Sequence, residues 1–114
     1  MAVSGVHLLF HSPEAERLRA ALLEVFGWAH VEAHPGWPIF ALPPAELAVH
    51  PAEAPHHEIS LMCDDLDATL AELRPKGVET TGEPELRRFG RAVTLVLPGG
   101  IEVLLYEPTH PTAI

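Results

Sequence analysis

One pattern occurs twice in this chain of 114 residues, and that repetition limits its folding more than any other feature. "VHLLFHSPEAERLRAALLEVFGW" near the start lies over "HEISLMCDDLDATLAELRPKGVE" in the second half when His7 is set on Glu58, an offset of 51 residues. Ser12 then falls on Cys63, Glu14 on Asp65, Glu16 on Asp67 and Leu22 on Leu73. Gly27 meets Gly77 after one deleted residue. Downstream, "LPPAELAVHP" resembles "LPGGIEVLLYEP", which places Glu46 on Glu102 and His50 on Tyr106 with one gap. A repeat of this size is one supersecondary unit, which buries its apolar face only against a neighbour.

Each copy has the same order of local signals. Residues 5–11 are short, apolar and bounded by Gly5 and Ser12-Pro13, as a strand would be. Ser12 suits a helix N-cap and Pro13 a first helical position. Ala15, Leu18, Leu22 and Val25 follow at helical spacing, and Gly27 is placed to end the helix in a left-handed conformation. Short strands are expected at 29–33, 38–42 and 46–50, parted by "HPGW" and Pro43-Pro44. In the second copy a strand at 58–63 precedes a helix capped by Asp64 or Asp65, with Leu66, Leu70 and Leu73 as its stripe. Pro75 and Gly77 close that helix. Strands near 78–81, 91–97 and 102–106 follow, with "PGG" as a turn, and Pro108 and Pro111 end the pattern. The expectation is an α+β protein of two βαβββ repeats, about 5–51 and 56–108, in a single domain. Two curled mixed sheets would enclose a cleft, with the helices on their convex faces.

Charge narrows the partners. Lys plus Arg is 7 and Asp plus Glu is 16, a net −9, which repels phosphate backbones and argues against nucleic acid. No apolar run approaches the ~18 residues of a membrane span, and the start lacks a signal-peptide pattern, so a cytoplasmic protein is expected. Cys63 is the one cysteine, which rules out an intrachain disulfide; it reads as a small buried hydrophobe rather than a reactive thiol. Arg87, Arg88 and Arg91 form a small basic cluster, either a solvated loop or an anion contact at a rim.

His7 with "EA" and "FGW", the run "CDDLDATLAELRPKGV", and "LPGGIEVLLYEP" together resemble the vicinal oxygen chelate superfamily. That is the glyoxalase, bleomycin-resistance and extradiol dioxygenase group, and the likeness covers about residues 5–108. Small bacterial members carrying "HPAE", "LMCDD" and "LPGG" are especially similar. The resemblance implies a cleft into which the first and last strand of each half point one donor. Those positions here are His7, Glu46, Glu58 and Glu102. His57 faces the opposite way from Glu58 in a regular strand and is held in reserve. His50 shares the parity of Glu46 but lies roughly 13 Å along the strand, so the two compete rather than cooperate. The implied ion is divalent: Fe, Mn, Ni, Co or Zn. Three carboxylates and one histidine are not a usual zinc set, and a facial triad would need His57 or His50 in place of a glutamate.

Glu102 and His11 are the candidates for moving a proton, His11 sharing the parity of His7. Leu9, Ser60, Met62, Leu104 and Tyr106 have inward parity and would line a mostly apolar pocket, with Trp37 as a wall and Trp28 packed structurally. Two readings follow. One is a metal-dependent enzyme acting on a small molecule with vicinal oxygens, as a lyase, isomerase or dioxygenase. The other is a metal-free small-molecule or antibiotic-binding protein, with burial and negative charge holding a cationic or aromatic ligand. The first is placed ahead because His7 and Glu102 are both present. The resemblance also implies a homodimer.

Overall fold

The structure, a computed structural model, describes residues 7–46, 48–49 and 51–114. Its order is α1 (Ala15–Glu24), β1 (His30–His34), β2 (Trp37–Phe40), β3 (Ser60–Met62), α2 (Leu66–Leu73), a 3-10 turn (Arg74–Lys76), β4 (Glu79–Arg87), β5 (Gly90–Leu97) and β6 (Ile101–Pro108). The protein is α+β, with a two-stranded sheet β1-β2 and a four-stranded mixed sheet ordered β3-β6-β5-β4.

The second half follows its sequence closely. Asp65 Oδ1 accepts the Ala68 N–H at 3.0 Å and caps α2, while Glu107 Oε1 accepts the Leu66 N–H at 2.9 Å. Two acids thus occupy the positive end of one helix. The expected stripe of Leu66, Leu70 and Leu73 is buried and packs on Val93, Leu95 and Leu105. Leu66 and Leu95 are fully enclosed, each contributing roughly 1.5–3 kcal/mol by leaving water. Gly77 ends the segment at φ +87, and the Leu97–Gly100 turn is closed by a Gly100 N–H bond to Leu97 O of 3.1 Å. β4 runs on to Arg87, well past the expected 81. A register shift between Thr81 and Glu85 lets it stay paired with β5.

The first half departs more. Residues 7–12 are not in a strand, and neither is Glu46, Ala48 or Val49. A strand persists only against a neighbouring edge, and these segments meet none among the described residues. The expected strand at 58–63 shortens to 60–62, where β6 pairs with it. The start of α1 also slides inward. Ser12 Oγ accepts the Glu14 N–H at 3.1 Å, two residues on, so the helix begins at Ala15 instead of Pro13. The same hydroxyl donates to Pro98 O at 3.3 Å, and Glu14 Oε2 accepts the Gly99 N–H at 2.8 Å. Together they fasten the first half to the β5–β6 turn. Leu18 completes the join by packing on Leu97 and Val103, with Phe10 and Ile59 alongside.

Candidate functional site

The four-stranded sheet has one face covered and one open. Leu61, Leu105, Val93 and Leu95 turn toward the helices. Because side chains alternate, their neighbours in sequence turn the other way. Register then fixes what lies side by side on the open face. Ser60 is level with Leu104, Leu104 with Thr94, and Thr94 with Thr81. The next row holds Met62, Tyr106, Ala92 and Glu85. Glu102, Val96 and Glu79 form the row on the other side. The open face is therefore an apolar centre with hydroxyl rungs, bordered by carboxylates.

Four of the expected lining residues, Ser60, Met62, Leu104 and Tyr106, come together on this face. Leu9 does not join them: it is 60% exposed on the segment before α1. Trp37 stands on the β1-β2 hairpin, 42% exposed, with the Arg19 guanidinium 4.4 Å from its ring and His34 stacked at 5.3 Å. Trp28 stacks on Phe26 at 5.3 Å.

The expected metal donors are placed apart. Glu102 lies on the open face. His7 is exposed outside any strand, as is His11. Glu58 precedes β3 and lies 3.7 Å from the His56 ring. His57 is exposed, and His50 lies outside the described residues. Glu46 sits in the crossing loop, where its Oε2 accepts the Ala113 N–H at 2.6 Å. Among the described residues no three His, Cys, Asp or Glu side chains gather closely enough to hold one ion. The set His7, Glu46, Glu58 and Glu102 does not fit a metal in this arrangement. The physical reason is the same as for the missing strands: donors aimed by strand geometry lose their aim where the strand does not form. Of the basic cluster, Arg91 is bound to Asp67 at 2.8 Å, and Arg87 and Arg88 remain exposed.

Tyr106 has a partner the sequence did not suggest. Its hydroxyl lies 3.0 Å from His110 Nε2, and Phe89 meets its ring edge-on at 5.3 Å. Burial, and then the negative charge of Glu46, push the phenol pKa up. Cys63 donates to Tyr106 O at 3.6 Å. Burial raises its thiol pKa, with the Glu107, Asp64 and Asp65 charges adding to the effect against a Thr69 hydrogen bond that lowers it. No local signal pointed to His110, since Pro108 and Pro111 read only as the end of a strand. Thr94 and Val96 were also missed, though they share the parity that exposes Ala92 to Tyr106.

The fold has close counterparts among solved structures. TnmS3, an antibiotic binding protein from Streptomyces sp. CB03234, is 26% identical, with 96% of this chain and 99% of that one covered at a TM-score of 0.69. A member of the glyoxalase/bleomycin resistance protein/dioxygenase superfamily from Sphaerobacter thermophilus is 22% identical, covering 94% and 99% at 0.63. This chain has the fold of the glyoxalase/bleomycin resistance protein/dioxygenase superfamily. A lactoylglutathione lyase from Agrobacterium tumefaciens shares the vicinal oxygen chelate fold at 15% identity, with 94% and 96% covered and a TM-score of 0.64. No family model matches the sequence, and no curated protein does. On the open face of the four-stranded sheet, apolar side chains and hydroxyls lie side by side. No helix among the described residues is long and apolar enough to cross a membrane.

Proposed function

We propose that this protein binds a small, flat, aromatic or cationic molecule on the open face of its four-stranded sheet, without a metal, as an antibiotic-sequestering protein does. The observation that carries the reading is the chemistry of that face. Leu104, Val96, Met62 and Tyr106 offer apolar area, Ser60 and Thr94 offer hydroxyls, and Glu102, Glu79 and Glu85 border it with negative charge. An aromatic cation is matched by apolar burial at the centre and by carboxylates at the edge. The likeness to an antibiotic binding protein favours the same class of ligand. The protein acts in the cytoplasm, where a lone unpaired cysteine is at home.

The functional unit is a homodimer. The chain exposes 8604 Å², against about 6,100 Å² for a compact monomer of its mass. Its radius of gyration is 15.2 Å, against about 13 Å for a compact domain of this length. Val31, Trp37, Ile39 and Leu42 are all among the exposed apolar residues. A second copy would cover them and supply the missing wall of the cleft. Sedimentation should give twice 12.4 kDa at micromolar concentration.

The ligand reading is tested by melting the protein with a panel of cationic aromatic antibiotics and aromatic amines. A ligand at 100 times its Kd stabilises by about 2.7 kcal/mol, a rise of several degrees. Leu104→Asp should abolish the rise and Glu102→Gln should weaken it. A panel that never shifts the transition, or hits that Leu104→Asp binds as well as the parent, would sink the reading.

The metal-dependent enzyme remains the second reading, on one observation. β3 and β6 are parallel with Ser60 level with Leu104, and continuing that register by two residues sets Glu58 beside Glu102. Lengthening β3 by two residues would therefore pair two of the expected donors. Elemental analysis after chelation and reloading with Fe, Mn, Ni, Co or Zn decides it. Near-stoichiometric metal that Glu102→Ala and His7→Ala both abolish would favour this reading over the first.

A further inference from the structure

The segment after β6 folds back onto the molecule and is held at three places. The Thr109 N–H donates to Phe89 O at 2.9 Å, which ties its start to the β4–β5 turn. The His110 ring then lies against Tyr106, with 5.8 Å between ring centres. Its Nδ1 is 2.7 Å from Pro111 O. A carbonyl can only accept, so Nδ1 carries a proton, and the Tyr106 hydroxyl lies 3.0 Å from Nε2. Finally the Ala113 N–H donates to Glu46 Oε2 at 2.6 Å, while Glu46 Oε1 stands 4.0 Å from His110 Nε2. Glu46 comes from the crossing loop of the first half, 67 residues away. Fastened in this way, Thr112 and Ile114 wall a recess of about 290 Å³ whose other sides include Pro44, Met62 and Cys63.

We propose that residues 109–114 are a strap, latched by Glu46, that closes the Met62–Tyr106 end of the open sheet face. The latch is a charge-assisted hydrogen bond from the backbone, and the Tyr106–His110 pair steadies the segment beside it. Opening the strap frees two groups at once: the Glu46 carboxylate and the Tyr106 hydroxyl, both now satisfied within the chain. It also uncovers Met62 and Cys63. A ligand that reaches this end of the face displaces residues 112–114 or is held under them. The latch stands on the intrachain contacts alone and is independent of which ligand the open face takes.

The protein carries its own reporter. Cys63 is the one cysteine, it is half-buried, and it lines the recess that the strap walls. Its alkylation by iodoacetamide under native conditions, followed by mass spectrometry, reads how often the recess opens. Glu46→Ala removes the acceptor, and Ala113→Pro removes the donor while leaving Glu46 in place. Each should raise the native alkylation rate about tenfold, the loss of one hydrogen bond to a charged group. Glu46→Gln keeps an acceptor oxygen and should stay nearer the parent. A chain ending at Pro108 sets the fully open rate. All variants should react equally in urea, and their unfolding midpoints should fall by no more than the loss of one hydrogen bond, which separates local opening from global loss of structure. Parent-like rates in both Glu46→Ala and Ala113→Pro overturn the latch. Acceleration confined to the chain ending at Pro108 overturns it too, since the segment would then cover the recess without Glu46. If Glu46→Ala fails to fold, Ala113→Pro decides alone.

Discussion

The two halves of this chain carry the same order of local signals and reach different ends. Among the described residues, nearly every buried apolar one belongs to the second half, from Leu66 to Leu105, and the first contributes Leu18. The exposed large apolar residues show the reverse: Leu8, Leu9, Leu23, Val31, Trp37, Ile39, Leu42 and Val49 lie in the first half, and Leu86 and Ile114 in the second. The difference is one of partners, not of propensity. The second half closes a sheet of four strands against its own helix. The hairpin β1-β2 joins no further strand among the described residues, and a two-stranded hairpin is marginal alone.

Core truncation should break the comparison most visibly. Leu95→Ala should cost about 2–5 kcal/mol, since the side chain is fully enclosed and leaves a cavity. Ile39→Ala, 36% exposed on the hairpin, should cost under about 1 kcal/mol in dilute protein. Urea unfolding of both gives the answer. If Ile39→Ala became costly only at high protein concentration, the hairpin would be shown to gain its burial from a second copy.

Glycine substitutions sharpen the same contrast. A Cβ at Gly90 would overlap the backbone oxygen of Glu107 on the adjacent strand, with φ at +156. Neither strand can yield without breaking the ladder, so Gly90→Ala should cost about 2–4 kcal/mol. At Gly36, in the hairpin turn, φ is +80 but the space is open. Gly36→Ala should cost only the left-handed conformation, about 1–2 kcal/mol. Equal losses at the two positions would mean that the β5–β6 contact has room to relax.

The same distinction explains what was legible in the sequence. The stripe Leu66, Leu70, Leu73, the Asp65 cap and the turn at Leu97–Gly100 are local signals, and the structure keeps them. The parity of Ser60, Met62, Leu104 and Tyr106 was readable because β3 and β6 form and pair. Strand positions for His7, Glu46 and Glu58 rested on pairing, and pairing is a property of two segments that no single segment displays. The length of β4 was hidden for a related reason: "TGEPE" reads as a turn, and the bulge opposite β5 absorbs it. His110 was hidden by its neighbours, since prolines at 108 and 111 mark the end of a strand and say nothing of where the chain goes next.

Helix starts give a smaller test. α2 has Asp65 on its Ala68 N–H, whereas α1 has no side-chain cap at its own N-cap, Glu14. Asp65→Ala should cost about 0.5–2 kcal/mol. Glu107 still holds the Leu66 N–H at 2.9 Å, which favours the lower end of that range. Combining Asp65→Ala with Glu107→Ala should cost more than the separate losses added together, because the second removal strips the remaining acceptor from the same turn. Strict additivity in thermal unfolding would show that the two acids act on separate steps.

The smallest effect is electrostatic and bears on how the halves are joined. Glu14 spends its carboxylate on the Gly99 N–H of the second half and on Arg17 within α1. The Arg17 hydrogen bond, then the Gly99 N–H, then the Arg17 charge hold its pKa below the ordinary 4.5, and burial opposes them weakly. A depressed carboxyl contributes stability that is fully present above 4.5 and is lost as the pH falls through the lower folded value. Glu14→Gln should therefore be less stable than the parent at neutral pH, and the gap should close on acidification below that point. The pair is exposed, so the gap is small and salt should shrink it further. Hydrogen exchange at the Gly99 amide separates the two bonds: it should quicken in Glu14→Gln and stay near the parent in Arg17→Ala. A gap that widens on acidification, or a Gly99 amide indifferent to Glu14, would assign the join to Ser12 and Leu18 instead.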